Sequence, residues 1–179
     1  MRSTGVEVPI YLLGASLSTI EQAVRASELL LEHAPRGKKL LWRDLGDAGK
    51  KTVQQVIPRL DLNHVIVIGT PLVGIKQERA RGLCLERLLW ELDQRCVSRI
   101  FLESRGEALD LSDRRRIDGL RARHALNRET RVDWMRGEID PMLWSPDIVL
   151  GTLGDAHVHH DELPEQITRL ITEVTIELS

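Results

Sequence analysis

Apolar positions along this chain follow two spacings, one that fits strands and one that fits helices. The clearest block is HVIVIGT, residues 64–70, which is apolar and β-branched at nearly every position. That is the pattern of a central strand covered on both faces. PIYLLGAS (9–16) and SRIFLES (98–104) are short apolar runs bounded by turn residues, and each predicts a strand. KKLLW (38–42), followed by the turn RDLGDAG, and TRVDWM (130–135) predict two more.

Helical spacing fills the intervals. Ser18-Thr19-Ile20-Glu21 has the form of a capping box, and Ile20, Val24, Ser27 and Leu31 recur along one face of a helix that ends before Pro35. Lys50 to Leu60 predicts a short helix with Val53, Val56, Ile57 and Leu60 inward, weakened at its end by Pro58. Between Gln77 and Arg95, Leu85, Leu88, Leu89 and Leu92 mark one face of a long amphipathic helix whose other face is charged. Residues 112–125 predict an arginine-rich helix. Ser145-Pro146 predicts a helix start, with Ser as N-cap, running through Asp155. Ile167, Leu170, Ile171, Val174 and Leu178 predict a C-terminal helix over about 165–178. Strands alternating with helices in this order indicate a single α/β domain over residues 1–179, a central mixed sheet with helices on both faces.

Composition narrows the classes. A chain of 179 residues suits one core, and 42% apolar with 29% charged residues excludes a mainly disordered protein. The net charge of −2 excludes a uniformly basic nucleic-acid binder, so any such contact needs a local patch. Cys84 and Cys96 lack metal-like spacing and fit a reduced, cytoplasmic setting. No apolar run nears the ~20 residues that span a bilayer, and MRSTGVEVPIY lacks a signal-peptide core, so no membrane partner is expected. Trp42, Trp90, Trp134 and Trp144, with one Tyr and one Phe, are too few for a base-stacking platform and are expected to be mostly buried.

Candidate chemistry begins with Asp147, a lone carboxylate in PMLWSPDIVLG, residues 141–151. A buried carboxylate needs a hydrogen bond, a cation or a metal. As a first-turn acid it is explained by the helix N-terminus alone. A metal role needs a second acid, and Glu103, at the C-terminal end of a predicted strand, is the leading partner, with an ion pair to Arg105 or another arginine as its plain alternative. Asp44 and Asp133 are weaker candidates, more simply read as exposed or ion-paired. Between 114 and 131 stand seven arginines against Asp118 and Glu129, a concentration able to contact phosphates or to form a solvated helix face. His157, His159 and His160 in DAHVHHDE resemble a transition-metal ligand set without the spacing of HExxH, and read more simply as an exposed connection. No P-loop, GxGxxG, GxSxG or CxxC is present.

Taken together, YLLGAS, KLLWRDL, HVIVIG, RARGLCLERLLWEL, IFLESR and PMLWSPDIVLG resemble an actinobacterial-type branch of domain-of-unknown-function family 3800, over roughly residues 9–157. The resemblance implies a ribonuclease H-like fold. It also implies Glu103 and Asp147 as catalytic residues and metal ligands for Mg²⁺ or Mn²⁺ in phosphodiester cleavage, with nucleic acid as partner and Arg114, Arg115, Arg121 and Arg123 on its phosphates. The chain departs from the family in two places. The Asp-Glu-Ser motif of the family's first strand is missing, because PIYLLGAS resembles the second strand; either that strand was lost or Met1 is an internal methionine. Leu41 stands where many relatives have His. Two carboxylates are fewer than such sites use, so a non-catalytic interaction protein on the same fold is the alternative to a metal-dependent nuclease. A hydrolase built on the His157 to His160 cluster is a third reading, and a shortened sheet would expose an edge that invites a homo-oligomer.

Overall fold

A computed structural model describes residues 8–178. The chain runs through β1 (Tyr11–Leu17), α1 (Ile20–His33), α2 (Asp47–Val56), β2 (Asn63–Thr70), α3 (Gln77–Gln94) and β3 (Arg99–Glu103). It continues through α4 (Glu107–Ala122), β4 (Arg131–Met135), α5 (Trp144–His159), the single turn α6 (Glu165–Thr168) and β5 (Ile171–Glu177). Short 3-10 turns occupy Trp42–Asp44, Ile57–Leu60 and Pro141–Leu143. No described helix is long and apolar enough to cross a membrane.

The apolar run of residues 64–70 becomes β2, the middle strand of a mixed three-stranded sheet. β1 pairs with it antiparallel, Leu13 opposite Val67, and β5 pairs parallel on its other side, Val174 opposite Val67. Both faces of β2 are covered, which is why it carries no polar alternation. Val65 and Val67 share a core with Leu85, Leu88 and Leu89 of α3. Ile66, on the opposite face, packs in a second core with Leu30 of α1, Val53 of α2 and Ile148 of α5. At Gly69 a Cβ would lie 2.9 Å from Cys84 Sγ, so the strand has no side chain where α3 crosses closest.

α3 is buried on most of its circumference. Cys84 faces β2, while Gly82, on the opposite side of the helix, lies under the Arg116 guanidinium of α4. The helix is thus held between the sheet and a β3–α4–β4 unit, in which β3 and β4 pair only with each other, in parallel. Ile100, Ile117 and Leu120 of that unit join the α3 core.

Several sequence expectations are corrected. The segment predicted as a C-terminal helix forms only one turn before β5, because Thr172, Val174, Thr175 and Ile176 are β-branched and β2 has one edge left to pair. Residues 38–42 form no strand; Leu40 and Trp42 are anchored by burial, and Trp42 opens a 3-10 turn. Thr19, not Ser18, caps α1, in a capping box with Gln22. α1 buries Ala26 and Leu30 and leaves Ile20, Val24 and Leu31 exposed, since the face that meets the core is the one beside its apolar stripe. Ser145 is not an N-cap: the helix begins at Trp144, and Asp140 instead caps the preceding 3-10 turn through the Met142 N–H. The sheet predicted as one body is two, since no strand of the first pairs with β3 or β4.

Candidate functional site

Glu103 ends β3 with its side chain partly exposed, and Lys39 Nζ donates to its Oε1 at 2.5 Å. Lys39 also reaches Glu138 at 3.4 Å. The hydrogen bond to Glu103 holds the Lys39 ammonium above its ordinary pKa. Gly137 faces this carboxylate so closely that a Cβ would collide with it. The expected alternative partner, Arg105, turns away: its guanidinium pairs with Glu78 at 2.5 Å and with Asp113 at 3.5 Å. Asp113 is also bound by Arg81 at 2.6 Å, with both side chains buried.

Asp147 stands in the first turn of α5, where its Oδ2 accepts the backbone N–H of Trp42 at 2.8 Å. One and two turns along the same face come Gly151 and Asp155. A Cβ at Gly151 would run into the Trp42 indole, and Asp155 Oδ2 accepts the indole Nε1–H at 3.2 Å. Lys50 completes the seat, 5.2 Å from the ring centroid and 2.7 Å from Asp155. Positions 147, 151 and 155 therefore form one receptor for Trp42. Their spacing of four is legible in the sequence; the residue they receive is not.

Glu103 and Asp147 thus each have a protein partner, on separate elements. Among the described residues no group of three or more His, Cys, Asp and Glu side chains gathers as a metal-holding cluster. A divalent ion at Glu103 would sit against the Lys39 ammonium, and one at Asp147 would compete with an N–H donor. These two acids do not fit the ion as they stand. Asp44 is exposed beside Arg43, and Asp133 pairs with Arg99 at 3.0 Å.

The arginines divide into two groups. Arg116 and Arg123 both reach Glu86 of α3, and Arg121 donates to the Thr130 carbonyl at 2.9 Å and pairs loosely with Asp118 at 3.7 Å. These tie α4 to its neighbours. Arg115 is exposed without a carboxylate partner among the described residues, as are Arg128 and Arg131. Arg114 lies 5.0 Å over the Trp134 ring and likewise lacks a carboxylate. Of the tryptophans, expected to be mostly buried, Trp42 and Trp144 are buried, Trp90 is exposed, and Trp134, half-buried, lines a cleft of about 520 Å³ between α4 and β4 together with Arg114 and Arg121.

His157 and His159 belong to the last turn of α5, not to a connection, and His160 caps it in the left-handed conformation at φ 54°. His159 Nδ1 is bonded to the Asp155 carbonyl at 2.7 Å, and His157 and His160 line a cavity of about 400 Å³ floored by Leu12, Ile68 and Leu153. A further cluster lies under α5. His64, at the start of β2, is buried; its Nδ1 meets Ser16 Oγ at 2.9 Å, and Ser16 Oγ meets Ser145 Oγ at 2.8 Å. Nε2 of His64 has no partner among the described residues, and burial pushes the imidazole pKa down to about 4. Its only signal in the sequence is a polar residue opening an otherwise apolar strand. Comparison with protein families, with curated proteins and with solved structures finds no match to this chain.

Proposed function

We propose that this chain is a non-catalytic binding protein on a ribonuclease H-like scaffold, of the kind its resemblance to domain-of-unknown-function family 3800 implies, and that it engages nucleic acid through Arg114 and Arg115 on α4. One observation carries the choice of binding over cleavage: both acids that would hold Mg²⁺ or Mn²⁺ are taken by donors of the chain itself, Glu103 by Lys39 and Asp147 by the Trp42 N–H. The resemblance supplies the class of partner. The exposed, unpaired cations of α4 supply the means, since phosphate contacts need charge that no carboxylate has neutralised.

Binding of labelled single-stranded and duplex oligonucleotides, followed by fluorescence anisotropy across salt concentrations, tests the reading. The expected result is salt-dependent binding whose log–log slope falls by about 1.5 when Arg114 and Arg115 are both replaced by Ala, near 0.7 to 0.9 per lost phosphate contact. Absence of binding at low salt would overturn it. The same oligonucleotides incubated with Mg²⁺ or Mn²⁺ should stay intact; cleavage that disappears in Glu103→Gln and Asp147→Asn would return the chain to the metal-dependent nucleases.

A further inference from the structure

The cleft between α4 and β4 carries more information than its charge. Among the described residues β4 pairs with β3 on one side only, and no described strand closes the cleft. Its walls are Ile117 and Val132, with Arg114, Arg121 and Trp134 among its polar lining, and two hydrogen-bond donors of these have no acceptor among the described residues although their atoms are shielded from water: Trp134 Nε1 and Arg121 Nε. A buried donor without a partner is uncommon in a folded protein and marks a place where a ligand or water completes the set. The two acids in the cleft are already matched, Asp118 by Arg121 and Asp133 by Arg99. Arg114 is therefore the one cleft cation left over, held only by the face of the Trp134 ring.

An indole face, an unfilled guanidinium donor beside it and one cation without a carboxylate describe a site for a flat aromatic group that carries an anion beside it. We infer that the cleft takes one unpaired nucleobase of a single strand. Arg114 leaves the indole for the phosphate, and the base takes its place against the face of Trp134. A duplex cannot present this group without unstacking it, so the cleft selects single strands. The inference rests on the nucleic-acid reading above and specifies the substrate class of that same face.

Three ligands distinguish the outcomes: a labelled single-stranded oligonucleotide, its duplex, and adenosine monophosphate. The expected result is binding of the single strand about tenfold tighter than the duplex, with quenching of tryptophan fluorescence that is lost in Trp134→Leu. Trp134→Phe, which keeps a stacking face and removes the donor, should retain most of the preference and so separates loss of the ring from loss of fold, with circular dichroism as the check on both variants. Equal affinity for the two oligonucleotides, unchanged in Trp134→Leu, would overturn this inference and leave the phosphate-binding reading standing. Adenosine monophosphate binding as tightly as the oligonucleotide would overturn the single-strand assignment in favour of a free nucleotide. Failure of all three ligands to bind would overturn both readings.

Discussion

Acid should destabilise this protein through one buried imidazole. His64 is 1% exposed, at the start of the middle strand, and its ring is favoured in the neutral form because burial lowers its pKa from an ordinary 6.5 to about 4. The folded pKa lies below the unfolded one, so the contribution is complete above about pH 6.5 and is lost as pH falls toward 4, where the unfolded chain binds a proton that the folded chain refuses. Across that interval of roughly 2.5 pH units, at about 1.4 kcal/mol each, the loss reaches about 3 kcal/mol. Against a typical stability of about 5–15 kcal/mol this is a large fraction. Urea denaturation of the wild type and of His64→Asn at pH 7.5, 6.5 and 5 isolates the effect, because the carboxylates titrate alike in both. The stability difference between the two proteins should shrink by about 2 kcal/mol from pH 7.5 to 5. A difference that stays constant over that range would refute the assignment of a buried neutral imidazole.

Three further outcomes follow from the packing. Gly151→Ala places a methyl against the Trp42 indole and should cost about 1–3 kcal/mol, read as a lower melting temperature in calorimetry. Asp147→Asn keeps an acceptor for the Trp42 N–H and should lose less than about 1 kcal/mol, whereas Asp147→Ala orphans that donor and should lose about 1–2 kcal/mol; equal losses in urea denaturation would contradict the acceptor role. Arg81→Met leaves Asp113 with only its longer contact to Arg105 and should destabilise by about 2–4 kcal/mol, with much of the loss recovered in Arg81→Met/Asp113→Leu. Additive losses in that double-mutant cycle would show that the pair is not coupled.

How much of this was legible in the sequence depended on whether a segment's pattern had one solution or two. Residues 64–70 admit only a two-faced strand, and the leucines of α3 only a helix, and both form as read. Residues 167–178 admit two: Ile167, Leu170, Ile171, Val174 and Leu178 suit a helix, while Val174, Ile176 and Leu178 suit a strand. The open edge of β2 chose the strand, and that edge exists only once the sheet has assembled. Asp147 was readable as a first-turn acid, but its acceptor role depends on an N–H 105 positions away. The arginine cluster was visible as a composition; which members remain unpaired was not, because Glu86 lies on another helix.

By itself, then, the order of residues determined the local grammar: a mixed α/β chain, its longest helix, its central strand, and one concentration of positive charge. Those properties depend on neighbours within a few positions, where periodicity and backbone preference act. Only the tertiary structure decided which strand edges were filled and which carboxylates were already engaged. It also brought Trp134 and Arg114 together at one cleft and closed off His64 from water. These are contacts between segments far apart in the chain, set by how the helices pack around β2 and α3, and no local spacing encodes them.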